Sequence, residues 1–102
     1  MGKIYFLIFF GAILVIVGIL NMKGNLSSIH WYNRRNVSEA DVPKYGKCIG
    51  TGSVIIGASF IIAAVLEMMI QSEIFDYISL VGILIGSGIM VYGQIKYNKG
   101  FF

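Results

Sequence analysis

Three long apolar runs, set apart by one long and one short polar stretch, make the pattern of this chain. The runs cover about residues 4–22, 46–70 and 77–95. Each is close to the roughly 20 helical residues that cross a hydrocarbon core about 30 Å thick. Backbone N–H and C=O groups find no water in that layer, so each run is predicted to be a helix. Period-two alternation is absent and three strands are too few to close, so a barrel does not fit. The expected fold class is an all-α membrane protein, a single transmembrane domain over residues 1–102. It has three transmembrane helices and a short interfacial segment between the first and second. A cleaved leader is disfavoured, since Asn21-Met22-Lys23 offers no small-residue cleavage site after the first run.

The polar residues fix an orientation. The loop over residues 23–47 holds Lys23, Arg34, Arg35, Lys44 and Lys47, five of the eight Lys and Arg residues. The short connector Gln71–Asp76 holds none and carries Glu73 and Asp76. Lys96 and Lys99 follow the third run, and Lys3 stands alone before the first. Basic loops stay on the cytoplasmic side. The expected topology is multi-pass, with the N-terminus outside, the polar loop cytoplasmic and the C-terminus inside. Lys3 is the one dissenting charge. The short connector makes the second and third helices antiparallel neighbours.

Composition narrows the chemistry. Hydrophobic residues make up 57% of the chain and charged residues 13%, too little polar surface for a soluble fold of this size. One Cys and one His exclude a disulfide framework and a His/Cys metal cluster, so no metal and no cofactor is expected. The net charge of +3 is concentrated in loops, which speaks for topology and not for nucleic acid. No nucleophile–base pairing, paired carboxylates or phosphate loop is present, so enzyme activity is not expected.

Thirteen glycines, most of them within the runs, point to close helix packing. Gly46 and Gly50, Ser53 and Gly57, and Gly82 and Gly86 are four apart; Gly11 and Gly18, and Gly86 and Gly93, are seven apart. Small residues at these spacings let membrane helices approach. Gly50, Gly57, Gly82 and Gly86 are the candidate packing positions, used either within the chain or in a homo-oligomer. Glu67 is the one ionisable residue near an apolar interior. It is expected to reach the outer interface; as an acid at membrane depth it is also the candidate pore or proton site. Thr51, Ser53, Ser59, Ser79 and Ser87 are expected to bond back to their own helices.

The polar loop divides in two. Leu26–Arg35 places Trp31 and Tyr32 beside Arg34 and Arg35, an aromatic-basic grouping suited to lie on the inner membrane surface. Those four residues are the candidate lipid- or partner-binding site, with anionic headgroups as the expected ligand. Farther on, Ser38 with Asp41 resembles a capping box, and Pro43 favours a helix that starts near Val42. Val42-x-x-Tyr45-x-Lys47 also matches a proposed sterol-contact pattern, one that arises by chance in such loops.

The run His30-x-Tyr32-x-Arg34-Arg35-x-Val37, then Tyr45-Gly46-Lys47 and a Gly-rich span, resembles a family of short bacterial membrane proteins known as a domain of unknown function. The resemblance covers roughly residues 24–57. It implies a bacterial cytoplasmic membrane and no activity. The expectation is therefore a small non-enzymatic membrane protein acting by helix association, with itself or with a larger membrane partner. The alternative is an oligomeric transporter or pore for ions or a small solute.

Overall fold

The computed structural model describes residues 2–23 and 39–97, all but a few of them helical. The aromatic-basic segment and Ser38 lie outside the described residues. Three helices follow in order: α1 (Gly2–Met22), α2 (Val42–Ile70) and α3 (Asp76–Tyr97). All three are long and apolar enough to cross a membrane.

Helix α2 has 29 residues, about 43 Å at 1.5 Å per residue, well beyond a hydrocarbon core of about 30 Å. A 3-10 turn, Glu39–Asp41, leads into it, and Pro43 sits in its first turn. The missing proline N–H does no harm there, since first-turn donors have no helical acceptor. Asp41 makes no side-chain capping bond. At the other end the helix closes on Gln71, a left-handed residue (φ 55°, ψ 50°) whose N–H donates to Glu67 O at 2.7 Å. This is an αL cap without the usual glycine. A second 3-10 turn, Glu73–Phe75, starts with Ser72 Oγ accepting from Ile74 N and delivers the chain into α3.

Helix α2 is the centre of the molecule. It packs along α1 on one side and α3 on the other, while α1 and α3 do not pack along each other. The contacts with α1 are backbone against backbone. A methyl at Gly11 would stand 2.7 Å from Gly57 O, and one at Gly18 would stand 2.6 Å from Gly50 O. Seven residues up α1 match seven residues down α2, so the helices are antiparallel with a heptad seam, the geometry of a left-handed crossing. Ser53 Oγ bridges the seam by donating to Leu14 O at 2.7 Å.

A second small face serves α3. Gly52 meets Gly86 and Met90, Ser59 fills the notch at Gly82, and Cys48 lies against Gly93. Gly50 and Gly57 are seven apart, as are Gly52 and Ser59, and the two-residue offset turns the second pair about 200° from the first. Helix α2 therefore carries two grooved sides. At the Val42 end of α2, Tyr45 and Ile49 are buried with Val42, Met90 and Tyr97 packed on them. Tyr45 is wholly buried, so it cannot present its ring to a sterol, and the sterol-pattern reading fails on that burial.

Candidate functional site

Among the described residues, the densest polar chemistry lies where the start of α1, the end of α2 and the start of α3 meet. Lys3 Nζ donates to Glu67 Oε1 at 2.8 Å and to Asp76 Oδ2 at 3.0 Å, with Oδ1 at 3.3 Å. One ammonium thus joins carboxylates from the other two helices by charge-assisted bonds. Glu67 is 7% exposed, whereas Lys3 and Asp76 are each nearly half exposed.

Glu67 thus shares this end of the bundle with half-exposed Lys3 and Asp76, while its own carboxylate is buried. One turn from its helix end, the carboxylate is covered and finds its charge partner in Lys3 instead of water. Its second oxygen, Oε2, is buried without a hydrogen-bond partner among the described residues. An unmatched buried acceptor of this kind is uncommon in folded proteins. Lys3, Ile4, Glu67, Met68, Gln71 and Glu73 line a cleft of about 370 Å³ beside it. The left-handed Gln71 is part of that wall, and a non-glycine residue in this region costs about 1–2 kcal/mol.

The opposite end is basic. Lys44, Lys47, Cys48 and Thr51 of α2 and Ile89 and Tyr97 of α3 line a cleft of about 280 Å³. Lys96 Nζ donates to the Tyr92 hydroxyl at 3.0 Å and lies over the Tyr92 and Tyr97 rings, 5.4 and 5.5 Å from their centroids. Cys48 Sγ donates to Ile89 O at 3.3 Å, and Thr51 Oγ1 to its own helix at Lys47 O. Thr51 and Ser59 back-bond as expected; Ser53 instead bonds across to α1.

Of the sequence-predicted residues, Trp31, Tyr32, Arg34 and Arg35 lie outside the described residues. Gly50 and Gly57 of α2 face α1, and Gly82 and Gly86 of α3 face α2, all within one chain. Sequence reasoning missed Gly52, although its seven-residue spacing to Ser59 was a usable signal. It also missed the Lys3 pairing. An antiparallel order brings residue 3 level with the end of α2 and the start of α3, so alternation of the spans held that information. Among the described residues, no group of three His, Cys, Asp or Glu side chains is placed to hold a metal. Compared with protein-family models, with curated proteins and with solved structures, the chain finds no match in any of the three.

Proposed function

We propose that this small integral membrane protein is non-enzymatic and acts by helix–helix association, with itself or with a larger membrane partner, through the outer face of α3. The observation that carries the reading is Gly88. Of the ten glycines with described surroundings, eight have a neighbour within 4 Å of where a Cβ would stand; Gly88, midway along α3, has none. A helical glycine costs about 1 kcal/mol relative to alanine, and packing within the chain gives nothing back at this position. Around it Val81, Leu84, Ile85, Val91, Tyr92 and Ile95 are exposed, giving an apolar face with a backbone-deep notch. A partner helix seated there gains close contact of the kind that drives association in lipid.

This moves the association surface away from Gly82 and Gly86. Leucine at either of those positions is expected to part α2 from α3 within the chain, so it does not test assembly. The informative change is Gly88→Leu. Self-association measured by energy transfer between labelled copies in liposomes, or co-purification with a membrane partner, should fall several-fold while the monomer stays folded. Unchanged association in both assays removes the proposal.

The proposed topology keeps the N-terminus outside and the basic end of α2 and α3 in the cytoplasm of a bacterial cell. The salt bridges of Lys3 support it, because two carboxylates offset the one charge that dissented from the basic-loop rule. A second reading, a transport path for a small cation, is favoured by one observation, the buried and unmatched Glu67 Oε2 beside the cleft. Liposomes holding the protein should then leak the ion in a manner abolished by Glu67→Gln. Tight vesicles with verified insertion would end that reading.

A further inference from the structure

The basic cleft and an apolar groove follow one another along α2 and α3, and the geometry points to a binding site for one anionic phospholipid between these helices. The inference rests on the membrane-spanning character of the helices; it shares Val81, Ile85 and Tyr92 with the association face, so a bound lipid and a partner helix would compete there. The groove, about 360 Å³, is lined by Ile55, Ser59, Tyr77, Ile78, Val81, Gly82 and Ile85. Thr51 of the basic cleft is four residues before Ile55 on α2, and Ile89 is four residues after Ile85 on α3. Residues four apart on a helix lie one above the other on one face. The two hollows are therefore consecutive along one seam, a charged head leading to an apolar channel.

The charges fit a phosphodiester. Lys44 and Lys47 are exposed at the mouth, and Lys96 is steadied beside it by Tyr92 and Tyr97. Glu39 and Asp41, in the 3-10 turn that leads into α2, precede Lys44, so three positive charges against two acids leave one in excess. The Tyr92 hydroxyl accepts from Lys96 and keeps its own proton to donate to a phosphate oxygen. Lys96 retains further N–H donors for the same group. A free phosphate would be served by the lysines alone. The apolar channel directly below them is what selects a lipid, because an acyl chain laid against Ile55, Val81 and Ile85 completes the site. The notch at Gly82, partly filled by Ser59, deepens that channel.

The test uses the full chain in phosphatidylcholine nanodiscs supplemented with phosphatidylglycerol, released for native mass spectrometry. Wild type should retain one phosphatidylglycerol in preference to phosphatidylcholine. Lys44→Gln and Lys47→Gln should each lower retention about fivefold, the effect of one basic residue at an anionic surface. Val81→Trp, which fills the channel and leaves the lysines in place, should lower it as well. Lys23→Gln serves as the control, since Lys23 is exposed and follows α1, away from the α2–α3 seam; its retention should match wild type. Equal loss with Lys23→Gln would mean diffuse surface attraction and overturn the site. Displacement by inorganic phosphate, or indifference to Val81→Trp, would overturn the lipid assignment in favour of a plain anion site.

Discussion

Adding one methyl group at Gly57 tests the seam between α1 and α2 directly. The new Cβ would stand 2.5 Å from Gly11 O and 2.9 Å from both the Val15 amide nitrogen and its Cγ2. Ordinary contact begins near 3.4 Å, so the carbonyl alone demands 3.4 less 2.5, or about 0.9 Å of separation. The obstructing atoms are mainly backbone, which cannot rotate aside. A gap of 0.5–1 Å forfeits about a quarter to a half of the dispersion energy of each parted contact. Overpacking of this type destabilises by about 1–3 kcal/mol. Alanine is the better helix former by about 1 kcal/mol, which offsets part of the loss. The expected outcome for Gly57→Ala is a net loss of about 0–2 kcal/mol. Gly88→Ala meets no neighbour within 4 Å and should stabilise the monomer by up to about 1 kcal/mol. Both are measured by titrating mixed micelles with a denaturing detergent. The readout is energy transfer between dyes on cysteines placed at Gly2 and Gln71 in a Cys48→Ser background, which marks the parting of α1 from α2. Equal stabilisation by both substitutions would refute the backbone-contact argument for this seam.

Other outcomes follow from the same geometry. Lys3→Met leaves Glu67 buried beside no cation and should destabilise the protein, and adding Glu67→Gln should restore part of the loss; a double-mutant cycle without coupling would contradict the ion pair. Gln71→Gly relieves a left-handed non-glycine residue and should stabilise by about 1 kcal/mol in the same detergent titration. Ser53→Ala removes the bond to Leu14 O and should lose only about 0.6 kcal/mol, the mean for such bonds within membranes, while Ser59→Ala, whose hydroxyl bonds within its own helix, should change less.

The spans were legible because length and hydropathy alone decide what crosses a bilayer. Orientation toward neighbours was less so. The helices are apolar on every side, with Phe6, Phe9, Ile13 and Ile16 of α1 exposed as freely as any polar position would be, so amphipathic pattern does not mark the inner face. Glycine spacing carried that information instead. It marked Gly11, Gly18, Gly50 and Gly57 as packing positions, but not that α2 would use a second face centred on Gly52 and Ser59. The Lys3 cluster was hidden for a different reason. Its members are 64 and 73 residues apart in the chain, and each had a plausible local explanation as an isolated end charge. Only the antiparallel order brings them together.

Because α1 and α3 each pack along α2 and not along one another, the order of synthesis acquires a physical meaning. Once Ile70 is made, α1 and α2 already possess their whole shared seam, and Lys3 already has Glu67. The third helix then arrives at a vacant groove centred on Gly52, and its first residue, Asp76, completes the bonding of an ammonium already held by the hairpin. Lys3 is thus a latch half-closed by the hairpin and fully closed by α3. A chain stopped after the second helix should keep the α1–α2 seam and the Lys3–Glu67 bond, and lose the α3 packing together with the bond to Asp76.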